Sequence, residues 1–235
     1  MKNRNIIEVN KINKTYVRGK TAYKALNNMS FVIKQGELVS IMGPSGSGKT
    51  TLLNQLGALD RPESGHVIID GVDITNVPEG RLFKVRRQKI GFVFQSFYLV
   101  STLSALDNVL LPIMPLRRKS FYRQRAIKLL ETVGLGDKLN NKPSELSGGQ
   151  MQRVAIARAL ILDPPIILAD EPTGNLDSHT GAEIFRLIKQ LNQEEGKTFI
   201  IVTHDPRIAK ASKRIIYLLD GTVVDNPSVK MEITF

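Results

Sequence analysis

The sequence predicts an α/β domain built on a mostly parallel sheet, with an antiparallel edge and an inserted helical layer. Three observations predict it. Short apolar runs that read as strands alternate with helical stretches, the pattern of strands joined by helical crossovers. A glycine-rich loop, GPSGSGKT at 43–50, sits between one such strand and a helix. The middle of the chain, from about residue 101 to residue 162, has helical periodicity and no strand signal.

Taken in order, GELVSIM at 36–42 is a short apolar strand leading into glycines, and residues 50–59 continue as a helix. GHVIIDGVDI at 65–74 places an Asp-Gly turn between apolar runs, which predicts a hairpin at an edge. KIGFVFQ at 89–95 is a further buried strand. Gly134 and Gly136 break the helical middle, and strands return at 166–169, at 198–203 and at 214–220. No internal repeat or low-complexity segment interrupts this order. The expected organisation is a single domain over 1–235, with a core of about 1–95 and 163–235 and a helical subdomain of about 96–162.

Composition excludes several classes. A chain of 235 residues is long enough to bury a full core, and the absence of cysteine rules out disulfides and thiolate metal sites. MKNRNIIEVNKINKTY has no apolar stretch typical of a leader, and no apolar run approaches the roughly 18 residues that span a bilayer. Any membrane role is therefore expected through a partner. The net charge of +11 is concentrated: eleven cations face one acid, Asp107, between Arg81 and Lys128, while the remainder holds 22 cations and 21 acids. A contact of 81–128 with anionic membrane or an acidic partner is one expectation, and an ordinary solvated face is the other.

The chemistry starts at Gly43, Pro44, Ser45, Gly46, Ser47, Gly48, Lys49 and Thr50, with Thr51 next. Glycines let backbone amides close round phosphate oxygens, Lys49 can reach the β and γ phosphates, and the Thr50 hydroxyl can ligate Mg²⁺. The helix that opens there adds the positive end of its dipole. In PPIILADEP, a buried strand presents Asp170 and Glu171 at its end. Asp170 is expected to hold Mg²⁺, through water or through the Thr50 hydroxyl, and Glu171 to orient or deprotonate the attacking water. His204, at the end of FIIVT, is placed to donate to the γ-phosphate, whereas His66 and His179 read as surface residues. In SELSGGQMQR, Ser147, Gly148 and Gly149 precede a helix as an anion cradle that lacks a lysine of its own, and the same residues also read as a plain N-cap.

These motifs, in this order, resemble the nucleotide-binding subunit of an ABC transporter over about residues 6–225. The resemblance implies a Walker A at 43–50, a Q-loop glutamine at Gln95 for catalysis and Mg²⁺, a signature LSGGQ at 146–150, a Walker B ending at Asp170, a D-loop ending at Asp177 and a switch His204. It implies that Tyr16 stacks on adenine. It also answers for the missing lysine: Ser147, Gly148, Gly149 and Gln150, with Asp177, would complete a site around ATP held by a second copy of the chain. GALDRPESG, RRQKIGFVFQSFYL and ILADEPTGNLDSHTG are similar to the subgroup that serves lipoprotein-releasing, macrolide-exporting and peptide-resistance transporters and their cell-division relative. One departure is Ser101, where that subgroup commonly has proline.

The resemblance implies an ATPase that uses ATP and Mg²⁺. Its expected location is peripheral, on the cytoplasmic side of the cell membrane and held by an integral permease subunit, with export or mechanical transmission as its output. A regulatory clamp acting through a membrane partner is the alternative. A nucleic-acid or ribosome ATPase is the remote one, and no nucleic acid is expected.

Overall fold

The computed structural model describes residues 4–19, 21–116 and 119–224. In chain order the elements are β1 (Asn5–Arg18), β2 (Thr21–Lys34), β3 (Leu38–Met42), α1 (Lys49–Leu56), β4 (Ser64–Ile69), β5 (Val72–Asp73), α2 (Glu79–Lys89) and β6 (Ile90–Phe94). There follow α3 (Ala105–Leu110), α4 (Lys119–Thr132), α5 (Gly148–Leu160), β7 (Ile166–Asp170), α6 (Ser178–Glu195), β8 (Thr198–Val202), α7 (Pro206–Ala211), β9 (Arg214–Leu219) and β10 (Thr222–Val224).

Two sheets form. One is antiparallel with strand order β2-β1-β4-β5; the other runs β10-β9-β3-β8-β7-β6 and is parallel except for its β10 edge. Strands β7 and β8 are apolar along nearly their whole length because both faces are covered. Successive side chains on them serve opposite cores. Ile166, Leu168, Ile200 and Val202 pack between the two sheets around Leu52 and Leu56 of α1. Ile167, Ala169, Phe199 and Ile201 pack on the other face, with Ile184 and Ile188 of α6 and with Leu106, Val109, Leu130 and Val154 from α3, α4 and α5.

Helix α6 shows why these residues choose a helix. Its buried positions, Gly181, Ile184, Phe185, Leu187, Ile188 and Leu191, recur at three and four, Asp177 caps its N-terminus and Gly196, at φ 65°, ends it. Helix α5 lies close on β6: a Cβ on Gly91 would collide with the Ala159 carbonyl.

The parallel strands, the edge hairpin β4–β5 and the helical middle fall where the sequence predicts them. Three elements do not follow from the sequence pattern. In β1 and β2 the period-2 signal is broken by register shifts, and the N-terminal four residues of β2 are all exposed. Helix α2 buries only Leu82 and Val85, too little apolar surface to register as a helical stripe. The helix expected over 50–59 is Lys49–Leu56, ended at Gly57.

One buried residue of α1 is poorly matched to its site. Gln55 is fully buried and neither its side-chain oxygen nor its nitrogen has a partner. Gln55→Met keeps the unbranched shape and removes both unpaired groups, so it is expected to stabilise the fold by about 1–3 kcal/mol. A thermal melt should show Tm rising by about 2–4 °C per kcal/mol.

Candidate functional site

Four neighbouring parallel strands, in the order β3-β8-β7-β6, end along one edge of the sheet, and each delivers a predicted residue there. The glycine-rich loop follows β3, His204 comes two residues after β8, Asp170 ends β7 and Gln95 follows β6. The carboxyl ends of parallel strands are where an open α/β sheet leaves its crevice.

The loop can close only because of its glycines. A Cβ on Gly43 would collide with the Leu218 carbonyl and lie 2.5 Å from Ser47 Oγ. Gly48, at φ 98°, is the N-cap of α1 and makes no side-chain cap, so the first amides of this helix are left for an anion. Ser47 is buried and its Oγ has no partner among the described residues. Lys49 Nζ donates to the carbonyls of Gly43 and Pro44, each at 2.8 Å, which holds the ammonium over the loop. Burial lowers the Lys49 pKa, against the opposing pull of the Glu171 and Asp170 carboxylates.

On the acidic side, burial raises the Asp170 pKa and the neighbouring Glu171 charge raises it further, while Lys49 opposes both. A cation beside these carboxylates would relieve that cost. Among the described residues no group of three or more His, Cys, Asp or Glu could hold a metal ion. The Thr50 hydroxyl and the Asp170 carboxylate are hard oxygen donors, too few for a closed cage. This donor set fits Mg²⁺ that takes its remaining ligands from phosphate and water.

Glu171 adopts the left-handed conformation at φ 46°, and its amide donates to the Val202 carbonyl of β8 at 2.9 Å. Its Oε1 lies 2.7 Å from His204 Nδ1. The two residues predicted for the γ-phosphate region thus contact each other directly. Gln95 is tied to a residue that the sequence did not single out: Gln95 Nε2 donates to Asn175 Oδ1 at 2.9 Å, and Asn175 Nδ2 donates back to the Gln95 carbonyl at 3.1 Å. Nothing in the pattern of single residues marks Asn175; its place two residues ahead of Asp177 is the only available signal.

Ser147 Oγ accepts from the Gln150 amide at 3.3 Å and Gln150 Oε1 accepts from the Ser147 amide at 2.9 Å, a reciprocal capping box. The Gly148 and Gly149 amides begin the helix. A Cβ on Gly148 would lie 3.1 Å from Leu176, and one on Gly149 would collide with Thr180. Asp177 Oδ1 accepts from the amides of His179 and Thr180, each at 3.0 Å, and the Thr180 side chain, with these amides, holds its carboxyl below the usual range.

Tyr16 donates to Asp60 Oδ2 at 2.9 Å, and Lys14 Nζ lies 5.4 Å from its ring centroid. Burial and the Asp60 carboxylate raise the Tyr16 pKa. Its cross-strand neighbour, Tyr23, donates its hydroxyl to the Gly46 carbonyl of the loop, a contact the sequence analysis did not foresee because β2 had no visible pattern. His66 pairs with Asp73 at 2.8 Å, and His179 lies 3.8 Å from Glu183.

The basic segment is less lopsided in space than in sequence. Arg86 pairs with Glu79, Lys89 with Asp70 and Arg125 with Asp163, all acids outside 81–128. Arg117 and Arg118 lie outside the described residues. An apolar groove of about 800 Å³ opens beside this segment, between α2 and the start of the helical layer. Phe83, Phe92, Tyr98, Pro112 and Leu162 line it, with Arg86, Arg87 and Arg158 along it.

The chain is similar to known proteins. A family model described as ABC transporter matches residues 26–174. The chain is 52% identical over 223 residues to an uncharacterised ABC transporter ATP-binding protein, MJ0796, of Methanocaldococcus jannaschii, covering 93% of this chain and 95% of that one. A solved dimeric post-hydrolysis state of MJ0796 bound to ADP and Pi superposes with a TM-score of 0.84 at 50% identity, covering 92% of this chain and 96% of that chain. The lipoprotein-releasing system ATP-binding protein LolD of Anaeromyxobacter dehalogenans is 45% identical, covering 94% of both chains. The macrolide export ATP-binding/permease protein MacB of Syntrophobacter fumaroxidans is 48% identical over 93% of this chain but only 31% of that longer protein.

Proposed function

Because this chain belongs to the ABC transporter family, as an ATPase domain of that family, we propose that two copies join head to tail around two ATP molecules and drive an integral membrane permease. The single observation that carries this reading is a cradle without a lysine of its own. Ser147, Gly148 and Gly149 open α5 beside Leu176 and Thr180, whereas the Lys49 loop follows β3. A second copy supplies the missing half of each site, as the dimeric form of the MJ0796 relative supports.

In this reading Lys49 and the backbone amides of residues 45–51, with the Gly43–Pro44 turn shaping the loop, bind the phosphates of the chain's own ATP, with Tyr16 against the base. Thr50, Asp170 and Gln95 hold Mg²⁺, which when bound offsets phosphate charge and polarises the γ-phosphoryl group. Glu171 orients or deprotonates the attacking water, and His204, already 2.7 Å from Glu171, fixes that carboxylate and donates toward the γ-phosphate. Ser147, Gly148, Gly149 and Gln150, with Asp177, close over the partner copy's nucleotide. Cleavage frees the γ-phosphate as Pi, and release of Pi then removes what both halves were gripping.

The permease is read from the surface. No described helix is long and apolar enough to cross a membrane, so force has to reach one through contact. The apolar groove, with Arg87 over the Phe83 ring at its side, fits a short apolar segment carrying an acidic residue. Its floor at Phe92 and Phe94 leads directly to Gln95, which gives a docked segment a path to the ATP site. The similarity to LolD and MacB favours lipoprotein, peptide or drug efflux as the work done, on the cytoplasmic side of the membrane.

The test is affinity capture from detergent-solubilised membranes of the native cell. The tagged chain should retain an integral membrane protein, and Phe83→Asp with Tyr98→Asp, which place charge in the groove, should lose at least about 10-fold of it while ATP binding stays intact. Equal capture by both proteins would contradict the docking role of the groove.

A further inference from the structure

Gln152 is fully buried in α5, two residues beyond the signature segment 146–150. Its Nε2 donates to the Pro172 carbonyl at 2.6 Å, while its Oε1 is buried without any partner. An apolar side chain of the same volume would remove the unpaired Oε1, but it would leave the Pro172 carbonyl without this donor. The amide therefore does something that packing does not require, and what it holds is the residue next to Glu171.

The turn that carries Glu171 is fastened at few points. Glu171 is in the left-handed region, a conformation that a non-glycine residue keeps only when its surroundings impose it. Its amide is fixed to Val202 of β8, and its carbonyl accepts from Gly174 at 3.0 Å. Pro172 has no N–H, so its carbonyl is its one polar handle, and Gln152 holds it. The Arg153–Glu183 pair at 3.1 Å and the packing of Gly149 beside Thr180 tie α5 to α6 and do not touch residues 170–174.

We propose that Gln152 is a positioning residue that sets Glu171 through the Pro172 carbonyl and so ties the signature helix to the hydrolytic turn of the same chain. This rests on the role given above to Glu171. Helix α5 is stiff over the one and a half turns from its Ser147 cap to Gln152. A shift of its N-terminus on meeting the partner copy's phosphate would reach Pro172 through this one bond. Each copy's Glu171 is then placed according to whether the opposite site is closed, which links the two ATP sites of the dimer.

The experiment measures ATP turnover by Gln152→Leu and by the volume-conserving Gln152→Met. Each is made in the otherwise unaltered chain and again with Glu171→Gln, and ATP-dependent dimerisation is followed in the Glu171→Gln proteins. A misplaced catalytic group costs up to about 100-fold, so kcat should fall about 10- to 100-fold, with KM for ATP changed by less than about 3-fold. With Glu171→Gln there is no carboxylate to place, so the same substitutions should cost nothing more, and the ATP-bound dimer should persist. An equal fold loss in both backgrounds, loss of the dimer or an unchanged kcat would overturn the inference. If Glu171→Gln by itself keeps full turnover, the role of Glu171 fails and this inference with it, and the single variant reveals that case separately.

Discussion

Glu171→Gln is expected to keep ATP binding and to lose about 10²- to 10⁴-fold of turnover, the range for removal of a general base. The amide is nearly isosteric, so it fits the same left-handed turn and still reaches His204, 2.7 Å from the present carboxylate. It carries no charge and cannot take a proton from water. Lys49, with its donors to the loop carbonyls of Gly43 and Pro44, is untouched, and so is the phosphate cradle. Nucleotide therefore enters as before and is not consumed. In the proposed dimer ATP forms part of the contact between copies, so the substituted protein should accumulate as a dimer with ATP and Mg²⁺. Size-exclusion chromatography would see it, and a Glu171→Gln protein that stays monomeric with ordinary turnover would refute the assignment.

How far the sequence alone leads depends on how local the signal is. The glycine-rich loop is legible because a closed phosphate loop needs glycine at defined places; Gly43 has the Leu218 carbonyl where a Cβ would stand. The buried run PPIILAD is legible for a similar reason, since a central parallel strand has no polar face and its first polar residues mark its end. The β1–β2 hairpin is not legible, because bulges break its alternation and its tip is exposed, so Tyr23 and its bond to Gly46 were out of reach. Asn175 and Gln152 escape for another reason. Asn175 acts through a reciprocal pair of hydrogen bonds across 80 residues of chain and Gln152 through one bond across 20, and no spacing rule encodes such tertiary contacts. The charge of 81–128 misleads in the same way, because its counter-ions at Asp70, Glu79 and Asp163 lie elsewhere in the sequence.

The shared site is the central claim, and a mixture of two inactive proteins tests it most directly. Ser147→Arg fills the cradle at the N-terminus of α5, where Ser147 now caps the Gln150 amide, while leaving the Lys49 loop whole. It should bind nucleotide and lose hydrolysis. Lys49→Ala removes the ammonium that reaches the phosphates and should lose binding itself. A heterodimer of the two places both defects in one composite site and leaves the other with an intact loop and an intact cradle. Steady-state ATPase of the mixture is the measurement, with heterodimer formation verified by native mass spectrometry. The account predicts recovery of up to about half the native activity per heterodimer, because a head-to-tail pair keeps one complete site. Normal hydrolysis by purified Ser147→Arg, or a verified heterodimer that turns over no faster than its inactive parents, would contradict it.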